Sequence, residues 1–165
     1  MWFFITALLL ALFAFQSRVL HQTRVRTLSH WQALDESLKK RLPLLEQLNL
    51  IAKQYAINTE LLEKELTLLQ NVRTLELSQI RKRAALETRL YELSSPIIHN
   101  EDLRTASAHA VFYEQWWKID NEFRNAQWAY NLAASKLNSM TTLFPISLIA
   151  KPMGWTQAPY FELDA

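Results

Sequence analysis

A heptad pattern in the C-terminal half of the chain constrains the fold more than any other feature. Apolar residues recur there in strictly alternating steps of four and three residues. Such a period places every member on one side of an α-helix, so the sequence predicts a long helix with a single buried stripe. The stripe consists of Phe112, Trp116, Ile119, Phe123, Ala126, Tyr130, Ala133, Leu137, Met140 and Phe144.

A second stripe with similar steps lies nearer the N-terminus. Leu34 and Leu48 widen it from a coiled-coil seam to the face of a bundle helix. Pro43 lies inside this segment and lacks a backbone N–H, so we expect a kink or a short break near Arg41 and Leu42. The members of this stripe are Trp31, Asp35, Leu38, Leu42, Leu45, Asn49, Ala52 and Ala56.

Two polar residues, Asp35 and Asn49, fall on this N-terminal stripe. A buried polar side chain must find partners or destabilise the core. We interpret both residues as fixing the register of the bundle, and we expect Asp35 to pair across the bundle with a basic residue or with Tyr130 or Asn131. A binding role for Asp35 is the alternative.

The segment between the two stripes predicts a second helix. Asn58 and Thr59 are favourable N-cap residues, and Glu60 and Glu63 place negative charge in the first turn, so the helix should begin there. It should end at Ser94-Ser95-Pro96, because proline disfavours the helical conformation in the residue before it. Its apolar face comprises Leu61, Leu62, Leu66, Leu68, Leu69, Val72, Leu75, Ile80, Ala84, Leu86, Leu90 and Leu93.

The N-terminus predicts a membrane anchor. From Trp2 to Phe15 the chain carries no charge and one polar residue, Thr6. If Arg18 snorkels, the apolar run reaches Leu20 and spans about 28 Å, close to the roughly 30 Å hydrocarbon core of a bilayer. A cleaved signal peptide is the alternative, but no charged region precedes the run and no small-x-small site follows it. The anchor, residues 1–20, includes Trp2, Phe3, Leu8, Leu12, Phe15 and Arg18.

The charges that flank the anchor predict its orientation. Arg18, Arg24 and Arg26 follow the apolar run, and no basic residue precedes it. The positive-inside rule then places the N-terminus outside and the rest of the chain in the cytoplasm. The abundance of helix-forming residues and the single glycine predict an all-α fold. Because the connections are short, we expect the anchor to continue into an antiparallel up-and-down bundle of three long helices over residues 21–145. The third helix should end at the membrane-distal tip.

The remaining tail, residues 146–165, is too apolar for a solvated segment and must cover something. We interpret it as a short helix or lid packed on the bundle, with a partner-binding or membrane-interface segment as the alternative. Its apolar residues are Ile146, Leu148, Ile149, Met153, Trp155, Tyr160 and Phe161. Trp155, Tyr160 and Phe161 are candidate contacts, as is Trp117, which lies beside the heptad stripe.

Several classes of function are disfavoured by composition. The chain has no Cys, and its four His residues show no Glu-x-x-His or His-Glu-x-x-His spacing. One glycine cannot form a phosphate-binding loop. Acidic residues are interspersed around the basic triplets 39–41 and 81–83, so we interpret the triplets as solvated faces. The sequence therefore predicts no enzyme, metal, cofactor or nucleic-acid site.

Several short motifs that follow one another along the chain resemble those of the LemA family of bacteria. Residues 31–41, WQALDESLKKR, are similar to that family's stretch of an aromatic residue, an Asp and a Leu followed by basic residues. Leu137-Asn138 stands where the family usually has a second Tyr-Asn pair. The resemblance covers residues 30–165 and implies an inner-membrane protein with one N-terminal span and a helical bundle. The other motifs are Tyr130-Asn131, Phe144-Pro145, Leu148-Ile149-Ala150, Gly154 and Tyr160-Phe161-Glu162.

Together these features predict a non-catalytic, membrane-anchored scaffold or adaptor. Its expected partners are the lipid bilayer and either a second copy of the chain or another membrane protein. One alternative is a regulator of a membrane enzyme, such as a protease, in envelope stress or signalling. Another is lipid or nucleic-acid binding through the basic residues.

Overall fold

The computed structural model describes residues 2–70, 79–104, 107–155 and 157–163. These ranges contain helices and no strand, which confirms the predicted all-α class. The helices are α1 (Trp2–Gln54), α2 (Glu60–Gln70), α3 (Ile80–Ile98), α4 (Glu101–Arg104), α5 (Ser107–Thr142) and α6 (Ser147–Ala150).

The apolar N-terminal segment and the first bundle helix form one continuous helix, α1, of 53 residues, as predicted. The helix runs without interruption through Pro43, so the short break that we allowed for is absent. Because Pro43 has no backbone N–H, the carbonyl of Lys39 loses its helical partner. Both residues are exposed, so solvent can satisfy that carbonyl. Leu44 and Leu45 are buried beside the proline and hold the helix in place.

The start of the second helix agrees with its N-cap signal. The Oδ1 atom of Asn58 accepts a hydrogen bond from the backbone N–H of Glu60 at 3.0 Å, and the carbonyl of Thr59 accepts one from Glu63 at 3.0 Å. The first bond satisfies a backbone donor that the first turn of a helix leaves free, and the second is the first regular helical bond of α2.

The predicted second helix is divided into two helices of opposite direction. α2 runs antiparallel to α1, since Glu63 contacts Asn49 and Gln70 contacts Glu46. α3 runs parallel to α1: its first residue lies in the same core as Leu34 and Leu38, and its last two lie in the core with Leu48 and Ile51. Val72 and Leu75, predicted for the apolar face, lie outside the described residues.

This additional reversal returns the end of α5 to the anchor side of the bundle. The Thr27 hydroxyl donates to the Ala133 carbonyl at 3.3 Å, and the Thr23 hydroxyl lies 3.5 Å from the Met140 sulfur. The prediction that the third helix ends at the membrane-distal tip is therefore wrong. It assumed one helix between α1 and α5, whereas two intervene and reverse the direction of α5.

Two predicted helix ends also differ from the structure. α3 continues through Pro96 to Ile98, because Ile97 and Ile98 are buried in the core and packing outweighs the local preference of proline. α5 ends at Thr142, so Phe144 leaves the heptad stripe and is 81% exposed.

The bundle contains two hydrophobic cores along its length. The distal core lies between α1, α2, α3 and the start of α5, and it includes Leu48, Leu66 and Phe112. The anchor-proximal core lies between α1, the second half of α5, the first turn of α3 and the C-terminal tail. In this core the Trp31 ring packs 5.6 Å from Tyr130 and 6.0 Å from Phe161, measured between ring centroids.

Candidate functional site

A buried cluster of charged residues separates the two cores. The Arg83 Nη2 atom lies 2.9 Å from the Glu87 Oε1 atom, and Arg41 lies 3.6 Å from Glu87 and 3.7 Å from Asp120. The side chains of Arg41, Arg83 and Glu87 are only 2–3% exposed. α1, α3 and α5 each contribute to this charge cluster, which consists of Arg41, Arg83, Glu87 and Asp120.

The sequence interpretation of the basic triplets was wrong for these two arginines. Lys39 and Lys40 are exposed, as a solvated face requires, but the third member of the triplet, Arg41, is buried. Arg83 is likewise the buried third member of its own triplet. A run of basic residues in the sequence indicates only that positive charge is present. The angular position of each residue around the helix decides which side chain turns inward.

Aromatic rings and burial set the electrostatics of the charge cluster. The Arg41 guanidinium lies 4.9 Å from the Trp116 ring centroid and 4.6 Å from that of Phe123. Burial lowers the pKa of Arg41, while Glu87 and Asp120 act in the opposite direction. Burial also raises the pKa of Glu87, against the effect of Arg83 and Arg41. The cluster therefore consists of mutually neutralising charges, an arrangement best known for fixing packing register.

Asp35 and Asn49, the polar residues predicted on the α1 stripe, are both buried in the bundle. The Asp35 carboxylate pairs with Lys39 at 2.6 Å, and its charge is one of the causes that raise the pKa of Glu87. The Asn49 amide donates to the Glu63 Oε1 atom at 2.9 Å and so connects α1 to α2. Hydrogen bonds from Lys53 and Asn49 lower the pKa of Glu63.

Two asparagines of α5 hold the C-terminal tail by paired amide bonds. The Asn131 amide donates to the Phe161 carbonyl and accepts from the Phe161 backbone N–H, both at 2.9 Å. Asn138 makes the same two bonds with Ala158, at 2.9 and 2.7 Å. Sequence reasoning noted Asn138 only as a departure from the Tyr-Asn pattern. Its spacing of one heptad from Asn131 is the signal that could have identified it.

Tyr130 and Gln127 complete this attachment. The Tyr130 hydroxyl donates to the Pro159 carbonyl at 2.6 Å, and the Gln127 amide donates to the Phe161 carbonyl at 3.0 Å. Burial raises the pKa of Tyr130. The side chains of Tyr130 and Phe161 are fully buried, so they are core residues of the bundle.

The other candidate contact residues differ in exposure. Trp117 is 65% exposed, whereas its neighbour Trp116 is buried, as the heptad stripe indicates. Trp155 is half-buried beneath the Arg24 guanidinium, which lies 5.3 Å from its ring centroid. Tyr160 is 43% exposed. Trp117 and Tyr160 therefore remain accessible to a partner.

An open groove of about 470 Å³ runs between α1 and α5 beside the anchor. Its large apolar side chains, Trp128 and Leu132, are 69% and 57% exposed. Arg26 and Lys136 supply positive charge at its edges. This α1–α5 groove is formed by Thr23, Arg26, Thr27, His30, Trp128, Ala129, Leu132, Ala133 and Lys136.

Sequence reasoning missed the groove. The sequence does contain a signal for it: Trp128 and Leu132 are large apolar residues of α5 that lie outside the heptad stripe, which indicates a second apolar surface. The surrounding charge is one-sided, because residues 1–34 and 123–161 contain none of the 16 acidic residues of the chain. Such a surface favours anionic or acidic partners.

The apolar start of α1 is uncovered by the bundle. This is the one described helix long and apolar enough to cross a membrane, with a mean hydropathy of 1.9 over its most apolar stretch. Phe3, Leu8, Leu12 and Phe15 are exposed, and Arg18 is exposed at the end of the apolar run. Trp2 begins α1. Within the described ranges, no three His, Asp or Glu side chains come together as a metal ion would require.

The fold and these surfaces define the class: a helical-bundle protein with an apolar N-terminal helix that fits a membrane anchor. The LemA family model matches residues 30–165, and the chain belongs to the LemA family. This match confirms the resemblance drawn from the short motifs. Neither a curated protein nor a solved structure matches the chain.

Proposed function

We propose that this protein is a membrane-anchored, non-catalytic adaptor that binds another membrane protein through the α1–α5 groove. The observation that carries the proposal is the groove itself, in which exposed Trp128 and Leu132 lie between Arg26 and Lys136 directly beside the anchor. Exposed aromatic and aliphatic side chains of this kind mark sites of protein binding.

The charge around the groove favours a foreign partner over a second copy of the chain. Two copies facing each other groove to groove would bring their Arg26 and Lys136 side chains together, and like charges disfavour that contact. The acidic first turn of α2, with Glu60 and Glu63, packs at the far end of α1, so it cannot reach the groove of a copy anchored alongside. The partner we infer is a helix with an apolar face and acidic flanks, close to the membrane.

The charge cluster supports the non-catalytic part of the proposal. Arg41, Arg83 and Glu87 are closed to solvent, and together with Asp120 they form a cluster of two positive and two negative charges. A substrate would have to separate the helices to reach them. Its position between α1, α3 and α5 fits a role in keeping these helices in one register.

Site-specific photocrosslinking in intact membranes tests the proposal. A benzoylphenylalanine residue at position 132 should crosslink to one foreign membrane protein, whereas the same residue at Leu61, exposed on α2 at the far end, should not. Lys136→Glu should weaken the crosslink by repelling acidic flanks. Crosslinks only between copies of the chain, or equal crosslinking from both positions, would contradict the proposal.

The partner that is captured also decides between an adaptor and a regulator. If the partner is an enzyme such as a membrane protease, its activity is measured with the wild-type chain and with Leu132→Glu. An adaptor leaves the activity of the purified enzyme unchanged, whereas a regulator alters it only when the groove is intact.

A further inference from the structure

The segment that follows α5, residues 143–153, presents a second apolar surface. Leu143, Leu148 and Met153 are 58%, 62% and 51% exposed, and Phe144 is 81% exposed. Phe144 is thus as open as Phe3 of the anchor, which is 79% exposed. We name residues 143–153 the tip segment; it lies at the anchor end of the bundle, opposite the membrane-distal tip. A cluster of exposed large apolar side chains on a bundle indicates a surface that something covers.

The tip segment lies level with the end of the anchor. Thr27 contacts Ala133 and Thr23 contacts Met140, so the antiparallel register of α1 and α5 places the next turn beside Val19 and Leu20. The far end of the segment is held at a similar level, because the Trp155 ring lies 6.2 Å from the His21 ring and 5.3 Å from the Arg24 guanidinium carbon.

The bundle begins within two helical turns of the uncovered part of the anchor. The last exposed apolar residue of the run is Phe15, and Leu20 follows about 8 Å further along the helix axis. That distance is small compared with the roughly 30 Å hydrocarbon core of a bilayer. Leu20 is fully buried by the bundle, so the part of the bundle beside it lies at the depth of the membrane boundary.

The charges around the tip segment match the headgroup region of an anionic leaflet. Arg18 and Lys151 are exposed and Arg24 is half-buried, and acidic residues are absent from residues 1–34 and 123–161 of the sequence. Apolar side chains surrounded by basic ones are the pattern of segments that lie in a membrane interface.

We propose that the tip segment inserts Leu143, Phe144, Leu148 and Met153 into the leaflet on the bundle side, as a second membrane contact beside the anchor. This inference rests on the anchoring part of the proposed function but not on the α1–α5 groove. Two contacts fix both the tilt and the rotation of the bundle. They therefore also fix the direction in which the groove faces.

Single-cysteine labelling of the full chain tests this proposal, since the chain has no native cysteine. A nitrobenzoxadiazole fluorophore is attached in turn to Phe144→Cys, Leu148→Cys, Leu9→Cys and Leu61→Cys. The purified protein is reconstituted in vesicles of phosphatidylethanolamine and phosphatidylglycerol, with either nitroxide-labelled lipid or aqueous iodide as quencher. Leu9 reports on the anchor, and Leu61 is the control at the far end of the bundle.

Labels at positions 144, 148 and 9 should lose fluorescence to the nitroxide lipid and resist iodide, and the label at 61 should do the reverse. If positions 144 and 148 behave like 61 while 9 lies in lipid, the inference is wrong and the anchor stands. Protection of 144 from both quenchers would indicate contact between proteins and would also overturn it. A label at position 9 in water would overturn the anchoring and this inference together.

Discussion

At the scale of single residues, the charge cluster shows that the burial of a residue depends on its angular position around the helix. Arg83 and Lys82 are adjacent and both basic, yet Arg83 is buried against Glu87 and Lys82 is exposed. Removing one partner of a buried pair leaves the other charge without compensation, whereas a solvated lysine has no such partner to lose. The two residues therefore form a matched pair for mutation.

We predict that Arg83→Met destabilises the protein by about 3–5 kcal/mol at neutral pH, because Glu87 loses its closest cation. Lys82→Met should leave the stability unchanged within error. Denaturant unfolding of the full-length protein in detergent, followed by circular dichroism, measures both. Equal stability of the two variants would contradict the role assigned to Arg83.

The same variant should show a distinctive pH dependence. Burial already raises the pKa of Glu87 above 4.5 in the folded protein, and the loss of Arg83 removes the largest effect that lowers it. A raised carboxyl pKa means that the folded state binds the proton more tightly than the unfolded state, so stability increases as pH falls towards 4.5. The deficit of Arg83→Met should therefore shrink between about pH 7 and pH 5.

At the scale of elements, the C-terminal tail is held to α5 by amide pairs as well as by apolar packing. Residues 157–163 have no helical hydrogen bonds of their own, and Asn131 and Asn138 satisfy the backbone groups of Phe161 and Ala158. An unsatisfied buried backbone group is costly, so these side chains fix the path of the tail.

We expect Asn131→Ala to destabilise the protein by about 1–3 kcal/mol and to remove the exchange protection of the Phe161 amide. Ser139→Ala is the control, since the exposed Ser139 hydroxyl donates to the Ser135 carbonyl of its own helix and, among the described residues, to none of the tail. Hydrogen exchange with mass spectrometry resolves the tail from α5. Unchanged protection of the tail in Asn131→Ala would show that apolar packing alone holds it.

At the scale of the whole molecule, the number of chain reversals between α1 and α5 decides which surfaces lie at the anchor end of the bundle. Because α2 and α3 reverse direction, α5 ends beside the anchor, and the groove, the tip segment and the basic residues share one end of the bundle. The proposed adaptor role and the proposed second membrane contact both depend on this arrangement.

The positive charge that follows the anchor predicts that the bundle lies in the cytoplasm. In intact cells, Leu61→Cys should resist a membrane-impermeant maleimide, and it should react after the cells are permeabilised. Leu61 is 64% exposed, so the fold does not hide it. Labelling of position 61 in intact cells would place the bundle on the outside and contradict the prediction.

The sequence by itself determined the helical class, the long apolar N-terminal helix, the family and most of the buried stripes, because these depend on local periodicity and composition. Asn58 and Glu60 marked the start of α2, and Trp116 and Trp117 were separated correctly by the heptad phase. Each of these inferences uses information contained within a few turns of one helix.

Tertiary structure alone decided the division of the second helix, the direction of α5, the burial of Arg41 and Arg83, and the attachment of the tail to Asn138. None of these is a local property. A side chain becomes a core residue only when another helix covers it, and the direction of a helix depends on how many reversals precede it. Both follow from packing between segments that are distant in the chain.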